Sequence, residues 1–238
     1  MLKLDNETKR RNLPDHIREG LEPFPTYQLK FTIGVSTFFM LDLLIIVPLL
    51  FPIMKPVLYL TLPLMFIISV WALTILFRNV ENTEIESLLF LGCLGITGSF
   101  CYFVLAMKYN YMIGIESLFF YILMFLFYLI TIYFFVRHQV KKYASLEKKL
   151  KKKTPAWHYS LAAIAPAIGY IFAHYIMGLS SFIVLIVMSI VFLGLSTFYI
   201  FVLARFFHKY FFIKKNIHLV IFANKQLNQK YKIKKEGV

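Results

Sequence analysis

The chain has 238 residues, 59% of them hydrophobic, and its 26 Lys and Arg against 12 Asp and Glu give a net charge of +14. Soluble domains run closer to ~45–50% apolar, and the mean hydropathy of +0.69 together with apolar blocks of 20 residues and more excludes an ordinary water-soluble fold. The basic residues gather between those blocks, so the charge is first a topology signal and only then a hint about partners.

Residues 1–30 form a polar arm without the apolar core of a signal peptide. Pro14, the run DHIRE and Gly20 predict a short helix with proline in its first turn and glycine past its end. Pro23 and Pro25 favour an extended entry to the bilayer.

The spacing of the apolar blocks predicts an all-α polytopic membrane protein with six transmembrane helices over residues 31–204. The first, 31–54, carries Pro48 and Pro52 in its last turns, where a helix kinks or ends. Lys55-Pro56 is the expected turn into the second span, 56–77, and so short a connection implies an antiparallel hairpin. The third span, 87–107, holds Gly92, Gly95 and Ser99 on one face, where a neighbouring helix can approach closely. Gly98 is expected on another side. Lys108 opens the loop to the fourth span, 115–136.

A basic loop, 137–158, precedes the fifth span, 159–179. There Ala162, Pro166, Gly169 and Ala173 make a stripe of small residues expected to be the tightest helix contact. The sixth span, 180–204, follows almost without a loop.

With the N-terminus inside, 24 of the 26 Lys and Arg lie on the cytoplasmic side, against Lys55 and Lys108 outside. This bias places both termini in the cytoplasm of a multi-pass cell-membrane protein.

Asp42 falls near the middle of the first span. An acid at that depth costs roughly 2.5–3.5 kcal/mol on insertion scales and needs a partner inside the bundle. Thr97, Tyr128, Tyr170 and Ser189 stand at similar depth as candidates. Asp42 with Tyr170 is therefore the candidate intramembrane polar site, a proton or cation site in one reading and a structural hydrogen bond in the other. Glu116 and His174 form a candidate pair at the outer surface.

Three histidines, His138, His158 and His208, sit at inner helix ends, where interfacial anchoring is expected. Cys93 and Cys101, eight residues apart on one helix, are about 12 Å apart in rise, too far for a disulfide, and read as packing residues. No catalytic, metal or cofactor motif occurs in the sequence.

The basic loop carries a shorter apolar seam, Val136, Val140, Tyr143 and Leu150, and reads as a helical extension of the fourth span. The basic amphipathic tail, 205–238, spaces Phe206, Tyr210, Ile213, Ile217, Val220, Asn224, Leu227 and Tyr231 at heptad intervals. It is expected to lie on the inner leaflet or on an acidic partner. Lys141, Lys142, Lys148, Lys149, Lys151, Lys152 and Lys153 of the loop, with Lys209, Lys214 and Lys215 of the tail, are the candidate contacts to anionic lipid or an acidic protein.

The expected partners are a bilayer with anionic inner-leaflet lipids and another membrane or cytoplasmic protein, with self-association a further option. Nucleic acid ranks below lipid because the chain carries no base-stacking or groove-reading module. Three function classes follow. The first is a non-enzymatic interaction protein, as accessory subunit of a membrane assembly or neutraliser of a membrane-directed agent. The second is a small ion- or proton-coupled transporter or channel, and the third a membrane-embedded enzyme.

Overall fold

A computed structural model describes residues 2, 4, 10, 13–23, 26–79, 82–144, 167, 169–171, 173–222 and 229. Among them there are helices and no strands. Five helices are long and apolar enough to cross a membrane: Gln28–Leu50, Lys55–Phe77, Glu84–Met112, Leu118–Lys142 and Ser181–Lys215.

A short helix α1 (Asp15–Leu21) precedes the first span. That span is not one regular helix. It is built from α2 (Thr26–Gly34), a nine-residue π-helical stretch (Val35–Leu43) and α3 (Leu44–Leu50), which contains Pro48. At the end of the π stretch the Leu44 N–H bonds to the Phe39 carbonyl, five residues back. The span ends at Leu50, one turn before the expected 54, and the chain turns over residues 51–54. Lys55 and Pro56, expected as the turn, are instead the first residues of α4 (Lys55–Phe77), where proline's missing N–H costs nothing.

Helix α5 (Glu84–Met112) is the centre of the bundle and the most buried of the spanning helices. It continues past the expected 107, so Lys108 lies inside the helix and not in a loop. Helix α6 (Leu118–Lys142) stands at the edge and buries only Gln139. Its helix closes at Lys142, with Tyr143 as C-cap. The expected extension along the basic loop therefore reaches about 9 Å beyond residue 136, and residues 145–153, with Lys148, Lys149, Lys151, Lys152 and Lys153, lie outside the described residues.

Of the expected fifth span, residues 173–177 are helical and turn at 178–180 into α7 (Ser181–Lys215). Thirty-five residues are about 52 Å of helix, well beyond the ~30 Å hydrocarbon core.

The closest packing lies between α5 and α7, which run antiparallel. A Cβ at Gly95 would stand 2.6 Å from the Leu203 backbone nitrogen, and one at Gly92 3.0 Å from the Phe207 ring. Gly98, expected elsewhere, meets the Tyr199 ring in the same interface. Ser196 Oγ donates to the Ser99 carbonyl at 2.8 Å. Small residues on one helix let the other's backbone come close, which is how helices associate when lipid supplies no hydrophobic drive. Of the stripe expected to be tightest, Gly169 and Ala173 are exposed, with nothing within 4 Å of a Cβ at Gly169. Ala162 and Pro166 lie outside the described residues.

At one end of the bundle a second, smaller core joins the chain's two extremities. Leu4, Leu13, Ile17 and Leu21 of the arm pack with Leu88 of α5, Phe212 and Ile213 of α7, and Leu219, Val220 and Phe222 beyond it. The heptad seam of the tail is interrupted there. Helix α7 stops at Asn216, a 3-10 turn covers Ile217–Leu219, and Val220 is extended. Residues 223–228 and 230–238, with the rest of the seam, lie outside the described residues.

Candidate functional site

The polar groups of the bundle are organised around the irregular first span. Hydrocarbon offers no hydrogen bonds, so departures from a regular helix persist only where protein groups satisfy the backbone. Two phenols and an ammonium do so here. Tyr102 of α5 donates its hydroxyl to the Met40 carbonyl, and Tyr199 of α7 donates to the Ser36 carbonyl at 3.3 Å. Both tyrosines are buried, their rings 5.4 Å apart, and Phe192 and Tyr109 continue the aromatic stack.

At the far end of the span, Lys108 Nζ donates to the carbonyls of Pro48 and Leu49 at 2.6 and 3.3 Å. The ammonium sits on the negative end of the helix, where a cation is favoured. Lys108 is 2% exposed, which no loop lysine would be.

Asp42 lies within the π-helical stretch and accepts a 2.7 Å hydrogen bond from Ser69 Oγ of α4. Ser69 also bonds to the Met65 carbonyl of its own helix at 2.9 Å. None of the four expected partners hydrogen-bonds to Asp42. Tyr128 pairs with Ser99 at 3.0 Å, and Ser189 donates to Asn110 Oδ1 at 2.8 Å. Tyr170 is exposed and stacks on His174 with centroids 6.4 Å apart, so the structure does not bring Asp42 and Tyr170 together. The correct partner carries the weakest sequence signal, a lone serine in an apolar helix.

Glu116 and His174 are both exposed, and among the described residues no ion pair joins them. The ion pairs that do form sit elsewhere. Arg78 binds Glu86 at 2.8 Å, and Trp71 Nε1 donates to the same carboxylate at 3.2 Å, tying α4 to α5 across their loop. Cys93 and Cys101 are free thiols, Cys101 buried.

The end of the bundle that carries the arm is the second polar assembly. Asn216 is fully buried and makes three bonds: its Oδ1 accepts from the Leu4 N–H at 2.8 Å, and its Nδ2 donates to the Leu2 and Phe212 carbonyls at 3.2 and 3.0 Å. Tyr143 stacks on His208 at 4.7 Å, and its ring fills the space a side chain at Gly20 would need, 2.9 Å from that Cβ. Gly20 is thus a contact residue inside α1 and not its stop signal. Burial pushes the Tyr143 phenol up, with Arg205 opposing and Glu19 adding to the shift. His208, expected as an interfacial anchor, is 6% exposed and belongs to this small core.

Around that core lie the exposed cations. Lys141 and Lys142 close α6, and Lys214 and Lys215 close α7. Lys209 is half-buried.

Finally, a crevice of about 250 Å³ opens between the first span, α5 and α7. Thr32, Ser36 and Met40 form one wall, Leu91 and Leu94 the floor, and residues from Phe198 to Phe206 the other wall, with Arg205 among them. Asp42 is not among its lining residues.

Fold and site together define an all-helical chain with five helices able to cross a membrane and a folded, basic end built from both extremities of the described chain. No family model matches this chain, and neither a curated protein nor a solved structure is similar to it.

Proposed function

We propose that the chain is a six-span protein of the cell membrane, with both termini cytoplasmic, that acts by binding other proteins and anionic lipid. In this reading it is non-enzymatic, an accessory subunit of a membrane assembly or a protein that neutralises a membrane-directed agent.

The observation that carries the reading is the folded basic end. The arm, Tyr143 and the root of the tail bury one another and leave Lys141, Lys142, Lys214 and Lys215 outside. Such a surface answers an acidic protein or anionic headgroups. Chain direction supports the sixth crossing. Helix α6 ends at the arm, since the Tyr143 ring lies against Gly20 and packs on His208 and Phe212. Helix α7 begins at the other end, since Ser189 bonds to Asn110 late in α5. Tyr143 and the start of α7 thus stand at opposite ends, which supports a sixth crossing between them.

Two measurements test this. A membrane-impermeant maleimide should label Ser117→Cys in intact cells and Ala144→Cys only after permeabilisation; the reverse pattern would sink the orientation. A stoichiometric protein partner should copurify in mild detergent and be lost when Lys141, Lys142, Lys214 and Lys215 are all changed to Gln. Retention by the quadruple variant would remove the basic end from the reading.

Proton- or cation-coupled transport is the second reading, and the placement of Asp42 in a π-helical stretch favours it, because such stretches recur at functional sites. It requires ion flux in proteoliposomes that Asp42→Asn abolishes.

A further inference from the structure

We infer that the crevice between the first span, α5 and α7 holds one acyl chain of an anionic phospholipid, with the headgroup phosphate on Arg205. The inference rests on the membrane reading above but not on its orientation.

The dimensions select the occupant. From Phe198 to Phe206 the crevice follows eight residues of α7, about 12 Å of rise. That is close to the depth of one leaflet in a hydrocarbon core of ~30 Å. A volume of about 250 Å³ lies below the ~300–1,000 Å³ of sites that engulf a drug-sized ligand. A partner helix, ~10–12 Å across with its side chains, is too wide to enter. A single flexible chain fits.

The two ends differ in the way such a lipid needs. Towards the middle of the bundle the Tyr199 ring forms part of the wall, its hydroxyl turned onto the Ser36 carbonyl. At the other end stands Arg205, exposed, and none of the ion pairs among the described residues involves it. Arg205 is the first charged residue of α7, which places it where the helix leaves the hydrocarbon core. A guanidinium at headgroup depth binds a phosphate through two parallel hydrogen bonds.

The test uses the purified full chain in detergent, offered phosphatidylglycerol, phosphatidylcholine or inorganic phosphate and read by native mass spectrometry. The wild type should retain phosphatidylglycerol about fivefold over phosphatidylcholine, the ratio given by ~1 kcal/mol per basic residue, and should retain no inorganic phosphate. Arg205→Gln should bring that ratio to about one. Val202→Trp and, from the opposite wall, Thr32→Trp fill the crevice with the charge intact and should lower retention of both lipids. If one of the two fails to fold, the other carries the steric arm. Lys55→Gln, at the exposed start of α4, should leave the ratio unchanged. Full retention in the folded tryptophan variants would overturn the site. So would an equal loss in Lys55→Gln and Arg205→Gln, which would mean diffuse surface attraction, or binding of phosphate alone. Because the protein is in detergent, a reversed result in the cysteine labelling would leave this outcome standing.

Discussion

Lys108 of α5 places its ammonium 2.6 Å from the Pro48 carbonyl, sixty residues earlier in the chain. A hydropathy reading puts this lysine in an outer loop, yet it is part of the core. It closes the end of the first span, where carbonyls would otherwise meet lipid or each other. Lys108→Met should lower stability by about 1–3 kcal/mol, the usual cost of leaving buried polar groups unpartnered, seen as a lower melting temperature in detergent. Lys108→Arg, which keeps the charge, should recover part of the loss. An unchanged melting temperature for Lys108→Met would show that water already serves those carbonyls.

The α5–α7 interface gives a prediction with its own internal control. A Cβ at Gly95 meets Leu203 backbone, which cannot swing aside, and one at Gly98 overlaps the Tyr199 ring. Each alanine substitution should cost about 1–3 kcal/mol through overpacking. At Gly194, where nothing lies within 4 Å, alanine should be neutral or slightly stabilising. Equal effects at Gly95 and Gly194, measured by thermal unfolding, would mean that α5 and α7 do not pack this closely.

Asn216 joins the two extremities of the described chain through bonds to Leu2 and Leu4. Asn216→Ala removes them and leaves the Leu4 N–H buried without its acceptor. The arm should then detach while the spans stay folded. Limited trypsin digestion should cut after Arg10 or Arg18 several-fold faster than in the wild type, with the melting temperature of the bundle nearly unchanged. Tyr143→Ala should act in the same direction, because it empties the space beside Gly20 and His208. Wild-type cleavage rates in both variants would place the arm's hold on the bundle elsewhere.

Asp42 yields a test that separates a structural from a functional acid. Its partner Ser69 keeps a second acceptor, the Met65 carbonyl, when the carboxylate is removed. Replacing Asp42 also removes a group that costs roughly 2.5–3.5 kcal/mol at mid-membrane depth. Asp42→Leu should therefore leave the melting temperature unchanged or raise it. A fall corresponding to about 2 kcal/mol or more, within the ~1–3 kcal/mol cost of a lost buried bond, would make the Asp42–Ser69 contact a structural necessity.

What was legible in the sequence follows from what is local. Hydropathy is a sum over neighbouring residues, so the apolar blocks at 31–54, 56–77, 87–107, 115–136 and 180–204 correspond to helices able to cross a membrane, with errors at their ends. Helical spacing is local too, and it placed Gly92, Gly95 and Ser99 on a face that another helix uses. Gly98 escaped because the three residues from Gly95 are about 300° of turn, which leaves it only about 60° from Gly95 around the helix.

The tail shows where local pattern misleads. Its heptad spacing is real, yet Asn216 ends the helix because its amide is engaged with backbone groups of residues 2 and 4, more than 210 positions away. The same distance hides the partners of Asp42, Lys108, Tyr102 and Tyr199, which lie 27 to 163 residues from them.

By itself, then, the sequence determined the solvent of each segment, through runs of apolar residues and the clustering of Lys and Arg between them. Only the tertiary structure decided which helix is central, which carbonyls the buried phenols and the Lys108 ammonium satisfy, and that arm and tail form one small core. The physical reason is that partition into lipid depends on each residue's own transfer free energy, whereas a hydrogen bond or a close helix contact depends on which two surfaces the folded chain brings together.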